Sequence, residues 1–203
     1  MVGKLRIIAG QWRGRRLPVA DRPGLRPTGD RTRETLFNWL QGHVRGRSAL
    51  DLFAGSGALG IEAASRGANR VVLVERDRML AESLQSLLAG WPDSDAISVV
   101  HDDALAFLAR ASAPFDLVFV DPPFDARVHA RVLDALARPG YLTRDSRVYL
   151  ESPVADPAPV LEDDSEWRIL KYKRQGEVRL QLVERAELAD PADTAPLPPI
   201  PGA

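Results

Sequence analysis

The sequence contains no cysteine, and its three histidines lie far apart, at positions 43, 101 and 129. Disulfide bonds and cysteine-ligated zinc or iron–sulfur sites are therefore excluded, and the scattered histidines predict no metal site. The N-terminus lacks the apolar segment of a secretion signal, and no apolar run approaches the roughly 18 residues of a membrane helix. We therefore expect a cytoplasmic protein, monomeric and outside the membrane.

Charges of the two signs are unevenly distributed, although the net charge of the chain is only −1. Residues 1–50 carry 11 Lys and Arg against 3 Asp and Glu, whereas residues 51–203 carry 16 against 25. A basic first segment ahead of an acidic body is typical of a protein whose first segment binds an anionic partner. An ordinary solvated surface is the alternative, which the absence of acidic residues from the first 16 positions disfavours.

The distribution of turn-forming residues and the apolar periodicity predict three regions. Residues 1–47 form a basic extension, with a β-hairpin over residues 5–20, a loop rich in Pro and Gly, and a helix that Asp30 caps. Residues 48–185 form the main domain. Residues 186–203 are rich in Pro and contain no aromatic residue, which predicts a disordered tail.

Short apolar strands alternate with helices throughout the main domain. Strands are predicted at residues 49–53, 71–74, 97–100, 115–120 and 147–150, and helices at residues 58–66, 77–90, 103–111 and 125–138. Two final alternating segments, 167–172 and 178–183, predict a hairpin. Strands that are separated by helices indicate a mostly parallel sheet with helices on both faces, which is an α/β fold.

A glycine-rich turn follows the first predicted strand of the main domain and opens a helix. Gly55, Gly57 and Gly60 have the spacing of a dinucleotide-binding loop, in which the backbone approaches the ligand closely. The following helix offers free N–H groups and the positive end of its dipole to an anion. Glu75 ends the next strand, 20 residues after Gly55, where a carboxylate binds ribose hydroxyl groups. The pattern fits both NAD and S-adenosylmethionine, and a tight structural turn is a third interpretation.

Acidic residues beside the loop favour one of the two cofactors. Asp51 precedes the loop directly, and its carboxylate suits a ligand with a cationic amino group but repels a pyrophosphate. Asp103 follows the third strand of this domain and is a candidate acceptor for an adenine amino group. Asp102 is an equal candidate for this contact, and either residue instead caps the next helix.

The segment Asp121-Pro122-Pro123-Phe124 follows a buried strand and is the most informative part of the sequence. Neither proline has an N–H group, so the carbonyl of Pro122 is free to face a ligand. This carbonyl and the carboxylate of Asp121 form a pair of acceptors for the two hydrogens of an –NH2 group. Phe124 can stack on a planar ring. A rigid turn is the structural alternative.

The acceptor pair suits the transfer of a methyl group to an exocyclic amine of a base. The lone pair of such an amine is delocalised into the ring, and two acceptors orient the nitrogen so that its lone pair faces the methyl donor. The carboxylate of Asp121 also stabilises the positive charge that develops on the nitrogen. Both motifs follow strands, and the ligand sites of open α/β sheets lie at the carboxyl ends of strands.

These motifs resemble those of known families. The glycine loop together with Asp121–Phe124 resembles the amino-methyltransferases. A more specific resemblance, to the bacterial 16S ribosomal RNA (guanine(966)-N(2))-methyltransferases, rests on five segments: Arg6–Arg15, Leu25–Thr28, Asp30–Trp39, Asp51–Gly60 and Tyr149–Ser152. The resemblance covers about residues 4–185, and the predicted tail lies outside it.

The resemblance implies a Rossmann-like class I methyltransferase fold, with a mostly parallel seven-stranded sheet, a C-terminal antiparallel hairpin and a small N-terminal hairpin and helix extension. It makes residues 48–185 the S-adenosylmethionine-binding catalytic domain and residues 1–47 the RNA-binding extension. The residues that it implies for the cofactor are Asp51, Phe53, Ala54, Gly55, Gly57, Glu75, Arg76, Asp103, Ala104 and Asp121. The catalytic residues that it implies around the target guanine are Asp121, Pro122, Pro123 and Phe124.

The implied substrate is 16S rRNA within the small ribosomal subunit, and the target base must leave its stack to reach Asp121. The basic extension then binds phosphates on either side of that base. The residues predicted for this contact are Arg6, Trp12, Arg13, Arg15, Arg16, Arg26, Thr28, Arg31 and Arg33. Two roles are open for Trp12, stacking on a base or anchoring the hairpin, and Arg31 or Arg33 alternatively pairs with Asp30 or Glu34.

Three other interpretations of the sequence stay open. Methylation of the N6 amine of adenine in DNA uses the same acceptor pair, although the chain has no evident separate domain that reads sequence. A nicotinamide-dependent oxidoreductase fits the glycine spacing but leaves Asp51 and Asp121–Phe124 without a role. A non-catalytic RNA-binding assembly factor would not need Asp121.

Overall fold

The computed structural model describes residues 4–18, 29–110, 113–123, 128–160, 164 and 166–186. Residues 187–203 of the predicted tail lie outside the described residues, and so do Arg26, Thr28 and Phe124 of the predicted sites. Within the described ranges, no helix is both long enough and apolar enough to cross a membrane.

Five helices and nine strands make up the described part of the chain. The helices are α1 (Asp30–Trp39), α2 (Ala58–Ser65), α3 (Arg78–Ala89), α4 (Ala104–Leu108) and α5 (His129–Leu136). The strands are β1 (Lys4–Arg6), β2 (Arg16–Pro18), β3 (Ser48–Asp51), β4 (Arg70–Glu75), β5 (Ile97–His101), β6 (Phe115–Val120), β7 (Leu142–Pro153), β8 (Trp167–Gln175) and β9 (Val178–Arg185). Strands and helices alternate from β3 to β7, as the sequence predicts.

Strands β3 to β9 form one seven-stranded sheet in the order β5-β4-β3-β6-β7-β9-β8. The first five strands in this order are parallel, and β9 runs antiparallel to both β7 and β8. The predicted α/β fold, with a mostly parallel sheet and a C-terminal antiparallel hairpin, is confirmed. The winding of the chain reverses between β3 and β6, because β4 and β5 lie on one side of β3, and β7 lies beyond β6. Ligands of open α/β sheets bind at such a switch point.

Helices cover both faces of the sheet. Helices α1, α2 and α3 pack on one face together with the ribbon of β1 and β2, and α4 and α5 pack on the other. In the first layer, Phe37 of α1 packs edge-on against Phe119 of β6, with the ring centroids 6.1 Å apart. Trp12 and Leu17 of the N-terminal extension are buried in the same core. The extension therefore packs on the main domain through a shared core.

Helix α2 is buried along its whole length in this layer. Gly60 faces the sheet, and a Cβ atom at this position would lie 2.2 Å from Cδ2 of Leu73. Glycine is therefore required for the close approach of helix and strand, which is the role of the third glycine in this type of loop. Gly67, with φ of +97°, follows the end of α2, where the sequence predicts the helix to stop.

Several element boundaries differ from the predicted ones, and two of these differences have a clear cause in side-chain contacts. Gly29 occupies the N-cap position of α1, and Asp30 is the first helical residue, where its carboxylate pairs with Arg33 instead of capping the helix. Strand β7 has 12 residues rather than the predicted four. Its polar start is held to β6 by hydrogen bonds from Thr143 to the Asp116 side chain and from Ser146 to a backbone carbonyl, contacts that apolar periodicity does not reveal.

Candidate active site

Three acidic side chains meet at the switch point of the sheet. Asp51 is the last residue of β3, Glu75 is the last residue of β4, and Asp121 directly follows β6. The three strands are parallel neighbours, so their carboxyl ends lie side by side. Burial raises the pKa of Asp51, and the charges of Asp121 and Glu75 raise it further. The three carboxylates therefore share one electrostatic environment.

Glycine conformations shape the turn between β3 and α2. Gly55 and Gly57 have φ angles of +52° and +75°, in the left-handed region that favours glycine. The N–H of Gly57 donates to the carbonyl of Ala54 at 2.6 Å, and the N–H of Gly55 donates to Oε2 of Glu75 at 2.8 Å. Phe53 is half-buried in the same turn. The predicted loop is thus tied directly to the predicted acid of the neighbouring strand.

Asp51 is the most deeply buried of the three carboxylates, with 1% of its surface exposed. Its Oδ2 accepts a hydrogen bond from the N–H of Gly60 at 3.0 Å, whereas Oδ1 has no hydrogen-bond partner among the described residues. Burial raises the pKa of Asp51 to about 7, against the lowering effect of the Gly60 N–H. Because a buried polar atom without a partner is costly, Oδ1 marks a place where a ligand with a hydrogen-bond donor fits.

Glu75 braces the turn from the adjacent strand. While Oε2 accepts the N–H of Gly55, Oε1 accepts the N–H of Asp77 at 2.7 Å. Asp77 in turn caps α3 by accepting hydrogen bonds from Met79 and Leu80. Each oxygen of a carboxylate has two lone pairs, and Glu75 is only half-buried. Its carboxylate can therefore hold the loop and accept from a ligand hydroxyl group at the same time.

The two acids that follow β5 have different roles in the fold. The N–H of Asp102 donates to the carbonyl of Glu75 at 3.0 Å, and its side chain forms an ion pair with Arg110. Asp103 caps α4, because its Oδ1 accepts two N–H groups of the first turn. The capping role that the sequence leaves open is thus observed for Asp103. Ala104 is the buried first residue of this helix.

The predicted acceptor pair for an amine follows β6 at the edge of the site. Asp121 is half-buried, Pro122 is buried and Pro123 is exposed. Val120 lies opposite Leu150 of β7, and β7 continues to Pro153, so Asp121 emerges beside the last residues of β7. The fourth residue of the motif, at position 124, is outside the described residues.

Tyr149 and Glu151 of β7 form a buried polar pair next to this edge. The hydroxyl group of Tyr149 donates to Oε2 of Glu151 at 2.9 Å. Burial raises the pKa of Tyr149 well above its ordinary value, and the charges of Glu151 and Asp121 raise it further. The sequence analysis includes these residues only within a family resemblance. Polar groups on one side of a buried strand are the signal that could have identified them.

Two residues that the sequence predicts to contact RNA are buried. Trp12 is 3% exposed, and its indole N–H donates to the carbonyl of Pro92 at 3.1 Å. Of the two roles left open for Trp12, anchoring the hairpin is the one that the structure shows. Arg33 is fully buried and pairs with Asp30 at 2.6 Å and with Glu62 at 3.4 Å. The prediction that its side chain contacts RNA is therefore wrong, and the predicted pairing with Asp30 is confirmed.

Arg6 and Arg16 are exposed partners across β1 and β2. Arg33 donates to the carbonyl of Arg6 at 2.8 Å, which holds this pair beside the first turn of α1. Arg31, also exposed, lies in that turn. Like charges directly opposite each other on a sheet repel, so this arginine pair is suited to binding an anion.

Arg13 and Arg15 lie at the other end of the hairpin. In the turn that contains them, the N–H of Gln11 donates to the carbonyl of Ser65 at 2.8 Å. Ser65 is the last residue of α2, whereas Gly57 precedes the helix beside the carboxylates of the site. Eight helical residues span about 12 Å. The turn that carries Arg13 and Arg15 is therefore docked at the end of α2 that is remote from the carboxylates.

Glu62, which the sequence analysis does not single out, connects the extension to α2. It is fully buried, and its two oxygens accept the N–H groups of Ile8 and Ala9 at 2.8 and 3.0 Å. The guanidinium groups of Arg66 and Arg33 pair with it at 2.7 and 3.4 Å. The available signal is one charged residue in an otherwise apolar helix, since a buried charge needs partners.

In the part of the chain that the structure describes, no three His, Asp or Glu side chains are grouped to hold a metal ion.

Sequence comparison places the chain among known proteins. The family described as conserved hypothetical protein 95 matches residues 5–184. Ribosomal RNA small subunit methyltransferase D of Escherichia coli strain K12 is 44% identical over 183 residues, covering 90% of this chain and 91% of the relative. The protein of the same name from Haemophilus influenzae is 40% identical over 185 residues, covering 90% of this chain and 94% of the relative.

Solved structures of related proteins have the same fold. A proposed methyltransferase of Escherichia coli, yhhF, has a TM-score of 0.81 at 42% identity, over 90% of this chain and 98% of that protein. A proposed methylase of Haemophilus influenzae has a TM-score of 0.75 at 36% identity, over 90% of this chain and 99% of that protein. The chain belongs to the family of ribosomal RNA small subunit methyltransferase D.

Proposed function

We propose that this protein transfers a methyl group from S-adenosylmethionine to the exocyclic N2 amine of a guanine in 16S rRNA of the small ribosomal subunit, the guanine 966 type of target. The observation that carries the proposal is the convergence of Asp51, Glu75 and Asp121 at the switch point of the sheet. This chain is 44% identical to a small subunit rRNA methyltransferase, which supports both the reaction and the RNA substrate.

The residues around the glycine turn fit S-adenosylmethionine. The buried Oδ1 of Asp51 is suited to a cationic amino group, and Gly55 and Gly57 adopt the left-handed conformations that the turn requires. Glu75 is suited to the ribose hydroxyl groups. The carboxylate of Asp51 beside the turn would repel the pyrophosphate of a nicotinamide cofactor, which disfavours the oxidoreductase alternative, whereas Glu75 fits the ribose of either cofactor. The other residues that we assign to this part of the site are Phe53, Ala54, Arg76, Asp103 and Ala104.

Asp121 and Pro122 are the groups that we assign to the target amine. When bound, S-adenosylmethionine supplies a methyl group on a positively charged sulfur. The carboxylate of Asp121 and the carbonyl of Pro122 accept the two hydrogens of the amine, which turns the nitrogen lone pair toward the methyl group. Asp121 also stabilises the positive charge on the nitrogen and is suited to take up the proton that the amine then loses. Phe124 is assigned to stacking on the target base.

The extension is proposed to bind the RNA backbone near the target. Arg6 and Arg16 form an exposed pair of like charge, and Arg31 lies in the helical turn beside them. Guanidinium groups match the geometry of phosphate oxygens and carry no sequence information. These arginines therefore favour a nucleic-acid partner. We assign the selection of guanine to the residues that contact the base, Asp121 and Pro122.

The test is transfer of radiolabelled methyl groups to three acceptors: undermethylated small ribosomal subunits, protein-free 16S rRNA and duplex DNA. We expect label in N2-methylguanine of 16S rRNA. We expect Asp121→Ala to lower turnover by about 10²–10³-fold, the effect of removing a group that stabilises charge in the transition state. Its dissociation constant for S-adenosylmethionine should stay within a few-fold of the wild-type value. Asp134→Ala, which removes an exposed acid on α5, is the matched control and should leave turnover unchanged.

Each other outcome overturns a defined part of the proposal. Label only in DNA, at N6 of adenine, would retain the mechanism and replace the substrate. Cofactor binding without methyl transfer to any acceptor would favour the RNA-binding assembly factor. Normal turnover by Asp121→Ala would remove this residue from the mechanism.

A further inference from the structure

Four arginines gather at the end of α2 that is remote from the switch point. Arg13 and Arg15 come from the hairpin turn, Arg45 from the loop before β3, and Arg66 directly follows α2. We call them the distal arginine patch. They are separate along the sequence, and only their packing around one helix end brings them together.

Backbone contacts fix this arrangement. On one side of the helix end, the N–H of Gln11 donates to the carbonyl of Ser65 at 2.8 Å. On the other side, the N–H of Gly46 donates to the carbonyl of Gly67 at 2.8 Å. A Cβ atom at Gly67 would lie 3.3 Å from Cγ of Arg45. The segments that carry the four arginines are therefore docked on the same three residues, 65–67.

The arginines bring positive charge to this end of the helix, and the adjoining loop that carries Trp91 adds the exposed acids Asp93 and Asp95. The guanidinium of Arg15 lies over the ring of Trp91 at 4.9 Å, while Arg13 and Arg45 are exposed. Arg66 pairs with the buried Glu62, so one of the four charges is balanced within the protein. The negative end of the α2 dipole stabilises cations here. The dipole does not account for Arg13 and Arg15, because these residues belong to the hairpin turn and not to the helix.

We propose that the distal arginine patch binds the phosphate backbone of the substrate RNA outside the nucleotide that carries the target base. The proposal rests on the proposed function. Helix α2 places the patch about 12 Å from the glycine turn. At a rise of roughly 3.4 Å per stacked nucleotide, this distance corresponds to about three or four nucleotides of one strand. The patch therefore contacts RNA that lies farther along the strand or in a strand that folding brings near the target.

The composition of the patch favours RNA over a protein partner. Guanidinium groups bind phosphates with paired hydrogen bonds, and a stacked arginine such as Arg15 presents its plane in a fixed orientation. Protein interfaces instead centre on buried aromatic or aliphatic anchors. In the described part of the chain the exposed large apolar side chain is Met79, which lies at the opposite end of α3 from Trp91.

The experiment compares Arg13→Gln/Arg45→Gln with the wild-type protein on undermethylated small ribosomal subunits. Both side chains are exposed, so the double variant should fold normally. We expect KM for the subunits to rise about tenfold with kcat nearly unchanged, because the patch contributes to binding and not to the chemical step. The slope of log K against log salt should fall by about 1.5, the value for two lost phosphate contacts. Arg131→Gln/Arg138→Gln, an equal charge change on α5 and the residue beyond it, should leave both quantities unchanged.

Hydroxyl-radical footprinting on the same subunits locates the contact. The double variant should lose protection of an RNA segment outside the target region and keep protection around the target guanine. An unchanged KM and salt slope, or loss of protection at the target itself, would overturn the proposal. Failure of the proposed function is distinct, because the wild-type protein would then methylate no RNA in the same assay.

Discussion

Two buried carboxylates, one in α2 and one in the strand beneath it, differ in their hydrogen-bond and ion-pair partners. Glu62 faces the N-terminal extension, and both of its oxygens accept backbone N–H groups while Arg33 and Arg66 balance its charge. Asp51 faces α2 from the sheet and is equally buried, but its hydrogen bond comes from the N–H of Gly60, with a weaker contribution from the backbone of Phe53. Its Oδ1 has no hydrogen-bond partner and its charge has no ion pair within the described residues.

The difference separates a structural charge from a ligand-binding one. A buried charge with a full set of partners stabilises one arrangement of the chain, because removal of any partner leaves an uncompensated group. Burial raises the pKa of Asp51 to about 7, with a further contribution from the charges of Asp121 and Glu75 and no cation to oppose it. A cationic ligand can complete its environment, so the incomplete carboxylate indicates where the cofactor binds.

Loss of Glu62 should have the largest effect on stability. Glu62→Ala leaves Arg33 buried without one of its two carboxylate partners and leaves the N–H groups of Ile8 and Ala9 unsatisfied. Breaking a buried ion pair on one side costs about 3–5 kcal/mol of unfolding free energy. Urea unfolding measures this loss. Glu82→Ala removes an exposed pair with Arg78 on α3 and should cost much less. Equal losses in the two variants would show that Glu62 is not a structural anchor.

Asp51→Asn should become more stable relative to the wild type as pH rises. The folded pKa of Asp51 is about 7, above its ordinary value of 3.8, so the unfolded chain ionises first as pH rises between these values. Wild-type stability therefore falls by up to about 4 kcal/mol across this window and changes no further above it. The variant lacks this loss. Urea unfolding of the cofactor-free proteins at about pH 4.5 and about pH 7.5 measures the difference.

Asp116→Asn is the control, because the stability contributed by Asp116 changes with pH in the opposite direction. Burial raises the pKa of Asp116, but hydrogen bonds from Ser48 and Thr143 and the charge of Arg47 outweigh it, so the pKa lies below its ordinary value. Its contribution to stability is complete above the unfolded pKa and is lost as pH falls through the folded pKa. Asp116→Asn should therefore lose more stability at neutral pH than in acid. The same pH trend in both variants would contradict the contrast between the two carboxylates.

The affinity for the cofactor should also depend on pH, and the free-energy change for each pH unit is smaller than the stability changes above. If the cationic amino group of S-adenosylmethionine binds beside Asp51, binding below about pH 7 must release the proton of Asp51. The dissociation constant should then rise by up to about tenfold, or about 1.4 kcal/mol, for each pH unit below 7. Titration calorimetry in two buffers of different ionisation enthalpy measures the released proton. Asp51→Asn should abolish the dependence, and a flat affinity in the wild-type protein would remove Asp51 from the cofactor site.

Local sequence signals predicted most of the fold and several parts of the site. The mostly parallel sheet with helices on both faces follows from alternating apolar strands and helices, and the glycine spacing predicted the turn in which Gly55 and Gly57 have positive φ angles. The order of the strands was not predicted. Glu75 at the end of β4 and Asp121 after β6 lie at the predicted edge of the sheet. Each of these features depends on residues within one strand–turn–helix unit, whose conformation is set by nearby residues.

The contacts of the N-terminal extension were not predictable in this way. Charge alone indicated that Arg33 and the arginines of the hairpin belong to one RNA-binding group. The structure buries Arg33 against Glu62, 29 positions away, and places the hairpin turn against the end of α2, more than 50 positions away. Burial of a charged residue depends on which distant groups surround it, and that information is absent from the local pattern.

The sequence by itself determined the α/β fold, the glycine turn and the acids that follow β3, β4 and β6, because backbone propensity and apolar periodicity act over a few residues. The tertiary structure alone decided that Glu62 is a compensated anchor while Asp51 is an incomplete carboxylate. It also docked the hairpin turn at the remote end of α2, where Arg13 and Arg15 join Arg45 and Arg66 in the distal arginine patch. Hydrogen-bond partners and burial arise from packing between distant segments, and these contacts give the same residue types different functions.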